Sequence, residues 1–334
     1  MEDEPTRAIS GHESENQLSA EQAQLPAPRG TEKIFVDSLG VRWIWRLAVY
    51  LVLRKLLYWI LLAGVSSAQD AGLRYAWITV LSEASFLVVA VIPALLMARV
   101  EDRPFDAYGM PPRQAFGKLF WVGGLWGLAA ISILMLALRG AGALDFSRLA
   151  LHGERALDFA VFWGVFFLLV GLSEEFYPRG YALFTLSEGI GFWPAAAVLS
   201  IVFAAMHLQN QGENPGGVAA AGVIGFFFCL TLRRTGTLWF AVGFHTAWDW
   251  GESYLYSVPD SGMLVPGHLL KSNLHGPAWL TGGSAGPEGS LLTFVLIALL
   301  WAVFDRVYRE ARWKGPASFP APSTPPVPPA AGPP

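Results

Sequence analysis

The stretch LDFAVFWGVFFLLVGLSEEFYPR, residues 157–179, decides the class of fold. Residues 159–172 contain no charged side chain, and the stretch then ends with two glutamates, a proline and an arginine. A helix of about 20 mainly apolar residues is long enough to cross the hydrocarbon core of a membrane. Ionisable residues at the depth of such a helix are costly, so they indicate a functional site by default.

Comparable apolar runs recur along the 334 residues, of which 53% are hydrophobic and 15% are Asp, Glu, Lys or Arg. Soluble domains carry about 25% charged residues. We therefore predict an all-α polytopic membrane protein, a bundle of about eight transmembrane helices. The predicted spans are residues 43–65, 76–98, 119–138, a fourth from about 157, 192–207, 218–232, 237–254 and 291–307.

These spans divide the chain into six segments. We predict a disordered polar tail over residues 1–40, three transmembrane helices over 41–140, a helical core over 157–256, a long extracytoplasmic loop over 257–289, a last transmembrane helix within 290–314, and a disordered Pro-rich tail over 315–334. The lone cysteine, Cys229, cannot form an internal disulfide.

The positive charges between the spans predict the orientation. Arginine and lysine collect in the segments that share a side with the amino terminus, and the other side holds few. The first group comprises Arg42, Arg46, Arg99, Arg103, Arg113, Lys118, Arg233, Arg234, Arg306, Arg309, Arg312 and Lys314, and the second Arg74, Arg139, Arg148, Arg155 and Lys271. The positive-inside rule then predicts that both termini are cytoplasmic. A net charge of −3 excludes a nucleic-acid partner of the basic-surface kind.

Three spans carry polar residues of the kind used in catalysis. They are Glu174, Glu175 and Arg179 in the fourth span, His207 at the end of the fifth, and His245 and Asp249 in the seventh. If the fourth and fifth spans are joined near residues 187–191, Glu174 and His207 both lie roughly 22 to 27 Å from that turn. His245 lies roughly 16 Å from the Arg233–Arg234 loop on the same side. The five carboxylates and imidazoles can therefore converge inside the bundle.

The residue types favour hydrolysis. A carboxylate that is removed from water can act as a general base toward a water molecule, and histidine can share the proton or donate to an oxyanion. Glutamate with two histidines also matches a catalytic zinc site, so Glu174, His207 and His245 are candidate ligands of a divalent metal such as zinc. Glu175 and Arg179 are spaced i, i+4, which favours a structural ion pair. Pro178 should kink the helix and leave the carbonyl of Glu174 without its helical partner.

The sequence resembles the CPBP family, also called the Abi or CAAX-protease family. Residues 174–179 fit the pattern E-E-x-x-x-R, residues 203–207 fit F-x-x-x-H, and residues 245–249 fit H-x-x-x-[ND]. The resemblance covers residues 157–254, so the core over 157–256 is identified as a catalytic CPBP core. It implies an eight-helix intramembrane endopeptidase of a bacterial inner membrane, with a cavity open to the cytosol and a peptide or membrane-protein substrate.

The resemblance also assigns roles. Glu174 and His207 would activate water, and His245 and Asp249 would stabilise the oxyanion; Glu175 and Arg179 would support them. The family is often called a metalloprotease, although a glutamate and oxyanion mechanism without metal is also proposed. Asp249 stands where the eukaryotic enzymes have Asn. Because an ionised aspartate has no proton to donate, Asp249 is either protonated, an orienting group for His245, or part of a cation site.

Three other interpretations remain open. Residues 282–286, GGSAG, fit the serine-hydrolase pattern G-x-S-x-G, but they lie in a Gly- and Pro-rich loop without the strand that this motif needs. A proton-coupled transporter would also place Glu, His and Asp in its spans. A non-proteolytic scaffold, such as an immunity-type protein, could share the same fold. The sequence predicts no oligomeric state.

Overall fold

The computed structural model describes residues 35–37 and 40–316, and 74% of the structure is helical. The predicted tails, residues 1–40 and 315–334, lie outside the described residues except for residues 35–37, 40, 315 and 316. The described elements are, in chain order, β1 Val36–Asp37, β2 Gly40–Val41, α1 Trp43–Asp70, α2 Tyr75–Val100, α3 Lys118–Gly140, β3 Leu144–Leu149, α4 Gly153–Arg179, α5 Tyr181–Ile190, α6 Phe192–His207, α7 Pro215–Thr235, α8 Trp239–Asp249, β4 Leu270–Leu274, α9 Ala278–Thr281 and α10 Leu291–Val307.

The helices have the character of a multi-pass membrane protein. Within the described residues, five helices are long and apolar enough to cross a membrane: α1, α2, α3, the continuous α4–α5 segment Gly153–Ile190, and α7. α6 is apolar but has 16 residues, and α8 and α10 have 11 and 17. The prediction of about eight spans is therefore confirmed for five helices and not for the remaining three.

The bundle has two ends that differ in what they hold. At the first, which we call the terminal end, α1 begins close to Gly189 and α10 is followed by Trp313, whose ring lies 4.8 Å from that of Phe192. Arg103 binds Glu188 at this end, at 3.0 Å. At the opposite end, which we call the loop end, lie the connections 71–74, 141–152, 208–214 and 256–290. Both described ends of the chain thus lie on one side of the bundle.

Glycines allow α8 to lie unusually close to α3. A Cβ atom on Gly123 would lie 2.0 Å from the carbonyl oxygen of Phe240, and one on Gly127 would lie 2.1 Å from that of Phe244. On the facing helix, a Cβ on Gly243 would lie 2.0 Å from the oxygen of Phe120. Small residues at four-residue spacing let helix backbones approach within a membrane, where van der Waals packing holds helices together. This contact fixes the position of α8.

The segment between α8 and α10 is folded. A π-helical turn, Trp250–Leu255, continues α8, and β4 then pairs antiparallel with β3, with Leu144 opposite Leu274. Asn214 caps α7 and donates a hydrogen bond from Nδ2 to the oxygen of Gly282 at 2.7 Å. The predicted all-α class thus describes the bundle, but it missed the short β1–β2 and β3–β4 sheets. The predicted loop over 257–289 includes one strand of the second sheet.

Candidate active site

Glu174 lies between two imidazoles that come from other helices. Its Oε2 atom is 4.0 Å from Nε2 of His207 and 3.8 Å from Nε2 of His245. These distances are too long for direct hydrogen bonds. One water molecule at about 2.8 Å from both Glu174 and His207 would subtend an angle of about 90°, which a water molecule accepts. The Glu174 side chain is 33% exposed, so a small molecule can reach it.

His245 is held by carboxylates. Its Nδ1 atom lies 2.8 Å from Oε1 of Glu175, and its Nε2 atom lies 3.4 Å from Oδ2 of Asp249. Since a carboxylate can only accept, Nδ1–H donates to Glu175, which fixes the ring. A proton on Nε2 would then face both Asp249 and Glu174. The two groups that the sequence spacing placed on one face of α8, His245 and Asp249, do lie together.

Arg179 closes the back of the site. Its Nη1 atom donates to Oε2 of Glu175 at 2.9 Å and to the main-chain oxygen of Glu174 at 3.3 Å, and its Nε donates to the oxygen of Gly225 at 3.1 Å. Pro178 has no N–H to donate to the main-chain oxygen of Glu174, four residues earlier. The second of these bonds, from Arg179, supplies that oxygen with a donor instead. Both Arg179 and Glu175 are fully buried.

His207 is the last residue of α6, and its tautomer follows from its contact. Nδ1 lies 2.9 Å from the main-chain oxygen of Phe203, which can only accept, so Nδ1 carries the proton. Its Nε2 lone pair is then free to bind a water molecule or a metal. Glu213 in the following connection is an electrostatic neighbour of His207, and burial, with a smaller repulsion from Glu288, raises the pKa of Glu213.

Glu83 of α2 belongs to this site, although the sequence reasoning did not include it. Its Oε1 accepts a hydrogen bond from Ser173 at 2.7 Å, and Glu174 and His245 are both electrostatic neighbours. The sequence does indicate this residue, because Glu83 is a single glutamate within the apolar sequence of the second span. The rule that a span carboxylate indicates a site applied to it as much as to Glu174.

The predicted metal ligands form a more open group than a bound zinc ion needs. Tetrahedral zinc with bonds of about 2.1 Å holds its ligand atoms about 3.4 Å apart. Within the described part of the chain, the one set of three ligand groups with all atoms within 4.8 Å of one another is Asp249, Asp260 and Glu288. Glu174, His207 and His245 are not such a set, so a zinc ion would require them to move closer. The spacing fits a bridging water, and metal at this trio stays a prediction.

The site lies inside the bundle: Glu174 is 21 residues from the first residue of α4, and His245 is six residues from the first residue of α8. Glu174 and His207 are each about 16 or 17 residues from the Gly191 turn, or about 25 Å along their helices. The hydrocarbon core is about 30 Å thick. Cytoplasmic termini and a cavity open to the cytosol, both expected above, stay predictions.

Apolar helices that bring a carboxylate and two imidazoles together indicate a multi-pass membrane protein with a candidate active site. Residues 156–251 match the family model of the Rce1-like type II CAAX prenyl endopeptidases. This match supports membership of the CPBP, or CAAX-protease, family for the matched segment, and at family level it supports an intramembrane endopeptidase. The matched residues include Glu174, His207, His245 and Asp249. Comparison with curated proteins and with solved structures found no match.

Proposed function

We propose that this protein is an intramembrane endopeptidase that cleaves a peptide or membrane-protein substrate with a water molecule held by Glu174 and His207. The observation that supports the proposal most strongly is the position of the Glu174 carboxylate within 4.0 Å of both imidazoles, in the segment that matches the endopeptidase family. Its carboxylate is partly exposed, as a group that meets substrate must be, while the neighbouring Glu175 is fully buried.

The proposed reaction begins with the water between Glu174 and His207. Glu174 takes a proton from the water as its oxygen attacks the carbonyl carbon of the scissile bond, and the Nε2 lone pair of His207 accepts the other water hydrogen. The C–N bond of the tetrahedral intermediate then breaks, and Glu174 returns the proton to the leaving amine. Water oxygen ends in the new carboxyl group, and Glu174 ends ionised as it began.

His245 is the proposed oxyanion donor. Its Nε2–H can point to the negative oxygen of the intermediate, and Glu175 and Asp249 stabilise the positive charge of the ring. We propose that Asp249 helps to orient His245, because its oxygen lies 3.4 Å from the nitrogen that would donate. The contact between Nδ1 of His245 and the buried Glu175 resembles that of a catalytic histidine whose ring is oriented by a carboxylate.

The proposed orientation follows from the distribution of charge. The positive-inside rule predicts that the arginine-rich terminal end is cytoplasmic. We therefore propose a cell-membrane protein, in a bacterial inner membrane, with cytoplasmic termini and, as the family resemblance implies, a cavity open to the cytosol. Metal assistance by zinc at Glu174, His207 and His245 is the alternative to the water mechanism.

The test uses the purified full chain in detergent and a peptide mixture with and without C-terminal prenylated cysteine, with products identified by mass spectrometry. We expect cleavage by the wild type and by Glu154→Gln, and none by Glu174→Gln. Glu154 is a matched control, since it is an exposed glutamate in the first turn of the same helix. Helical circular dichroism and the unfolding temperature report whether each variant folds.

Two results would reject the proposal. One is cleavage by Glu174→Gln at the wild-type rate, which would mean that a contaminating protease is active. The other is a folded wild type that cleaves no member of the mixture in a reconstituted bilayer, while its cellular phenotype survives Glu174→Gln. The second pattern is the one expected of a scaffold. Loss of a proton-coupled flux, without any cleavage, would indicate a transporter.

A further inference from the structure

A second group of carboxylates lies beyond Asp249, outside the proposed water site. Asp249 and Glu252 come from the end of α8 and its π-helical turn, and Asp260 and Glu288 come from the two ends of the following loop. One oxygen each from Asp249, Asp260 and Glu288 lies within 4.8 Å of the others. Two oxygens on opposite sides of one calcium ion are about 4.6 to 5.2 Å apart, so this spacing can surround a single hard cation.

The known contacts of these carboxylates leave their charge largely uncompensated. Ser253 donates to Oδ2 of Asp260 at 2.9 Å, and the amide and hydroxyl of Ser261 both donate to Oε2 of Glu288 at 3.0 Å. Among the described residues, the one basic side chain that pairs with the group is His245, through Asp249. Burial, with repulsion from Asp249 and Glu288, raises the pKa of Asp260 well above its ordinary value.

Glu252 gives an independent sign that a positive charge belongs here. The residue is fully buried, and neither carboxylate oxygen makes a hydrogen bond within the described part of the chain. Its strongest charged neighbours are Glu288, Asp260 and Asp249, all of which repel it, while Trp248 is a weak favourable neighbour. An unpaired buried carboxylate is expensive, and three further carboxylates beside it increase the cost.

The fold brings both ends of the loop to this place. The amide of Gly262 donates to the oxygen of Ala285 at 2.9 Å, which joins the segment after Asp260 to the segment before Glu288. Asp260 and Met263 form a β-bridge in the same turn. A cation bound here would therefore tie both ends of the loop to α8, one helical turn beyond His245.

We propose that Asp249, Asp260 and Glu288, with Glu252 behind them, bind a hard divalent cation of the calcium class. Carboxylate oxygens alone suit hard cations such as calcium, magnesium or manganese rather than zinc. The bound ion neutralises the carboxylates and anchors the loop, so that Asp249 and His245 are held in place. The site does not depend on the proposed protease activity, and the two can fail separately.

The experiment measures terbium binding to the full chain in detergent after removal of metals with a chelator. Terbium replaces calcium at oxygen sites, and Trp248 beside Glu252 can sensitise its emission. We expect saturable emission that calcium displaces, and an unfolding temperature that calcium raises by several degrees. Asp260→Asn combined with Glu288→Gln should weaken terbium binding at least tenfold and abolish the calcium effect on unfolding.

Two control variants make the result specific. Glu154→Gln combined with Asp158→Asn removes two exposed carboxylates from the start of α4 and should bind terbium like the wild type. His207→Ala removes a candidate zinc ligand and should also bind normally. If Asp260→Asn with Glu288→Gln does not fold, Glu288→Gln alone serves as the variant. The proposal would be overturned if the wild type showed no saturable binding below millimolar terbium. It would also be overturned if terbium binding were lost in His207→Ala and kept in the Asp260→Asn, Glu288→Gln variant.

Discussion

Glu174 and Glu175 are adjacent in sequence, and the structure predicts opposite consequences for removing their charges. Glu175 is fully buried between Arg179 at 2.9 Å and Nδ1 of His245 at 2.8 Å. In Glu175→Gln the amide oxygen can still accept from one of these donors, but the other donor meets an NH₂ group and Arg179 loses its counter-charge. Breaking a buried ion pair costs about 3–5 kcal/mol, and the retained hydrogen bond returns about 1. We expect a loss of about 2–4 kcal/mol in the free energy of unfolding.

Glu174 has a different balance. Its carboxylate lies 3.8 and 4.0 Å from the two imidazoles, is partly exposed, and has Glu83 as a repelling neighbour. Glu174→Gln should therefore change the unfolding free energy by less than about 1 kcal/mol. Its cleavage rate should fall below detection, whereas Glu175→Gln should retain a rate lower by about 10²–10⁴, as when an imidazole loses its orienting carboxylate.

The assay pairs denaturant unfolding in detergent, followed by helical circular dichroism, with peptide turnover on the same preparations. Glu154→Gln is the control for the substitution itself. This assignment of roles is refuted if Glu175→Gln has the unfolding free energy of the wild type while Glu174→Gln is strongly destabilised. It is also refuted if Glu175→Gln turns over at the wild-type rate, since Glu175 would then not position His245.

Three further predictions test packing, orientation and metal. Gly127→Ala places a Cβ atom 2.1 Å from the oxygen of Phe244 and should lower the unfolding free energy by about 1–3 kcal/mol. Gly124→Ala, whose Cβ would lie 3.6 Å from the nearest oxygen, should not lower it. Equal unfolding free energies for the two variants would contradict the packing. In a Cys229→Ser background, a membrane-impermeant maleimide should label Ser284→Cys on intact cells and not Gln114→Cys, and the reverse pattern would place the loop end in the cytoplasm. The water mechanism predicts turnover within about twofold after zinc chelation; stoichiometric zinc that is lost in His207→Ala would favour the metal alternative.

Much of the bundle could be predicted from sequence, because burial in a membrane selects long apolar runs. The bounds predicted for the fifth and eighth spans, 192–207 and 291–307, coincide with α6 and α10. Other helices extend past the predicted spans: α1 continues to Asp70, because polar residues beyond the hydrocarbon core can remain helical. The count of spans depends on short helices, which hydropathy and length alone do not separate from buried helices.

Helix geometry predicts only part of how the residues of the candidate site come together. Spacing placed His245 and Asp249 on one face and equated the depths of Glu174 and His207. It could not show that Glu175, rather than Glu174, contacts Nδ1 of His245, because the rotation of α4 depends on packing. A Cβ atom on Gly171 would lie 2.7 Å from Oγ1 of Thr246, so α4 can approach α8 closely at this point. Such contacts between distant segments have no periodic signature.

The carboxylates contributed by the loop were beyond sequence reasoning for a related reason. Asp260 and Glu288 are 28 residues apart in a segment that sequence alone describes as a connection, and acidic residues in connections are usually solvated. Their meeting depends on β3 pairing with β4 and on Asn214 binding Gly282, two contacts between distant parts of the chain. A cation at their meeting point would link the fold of the loop to the orientation of His245 through Asp249. The loop would then contribute to catalysis without any of its residues touching the reacting bond.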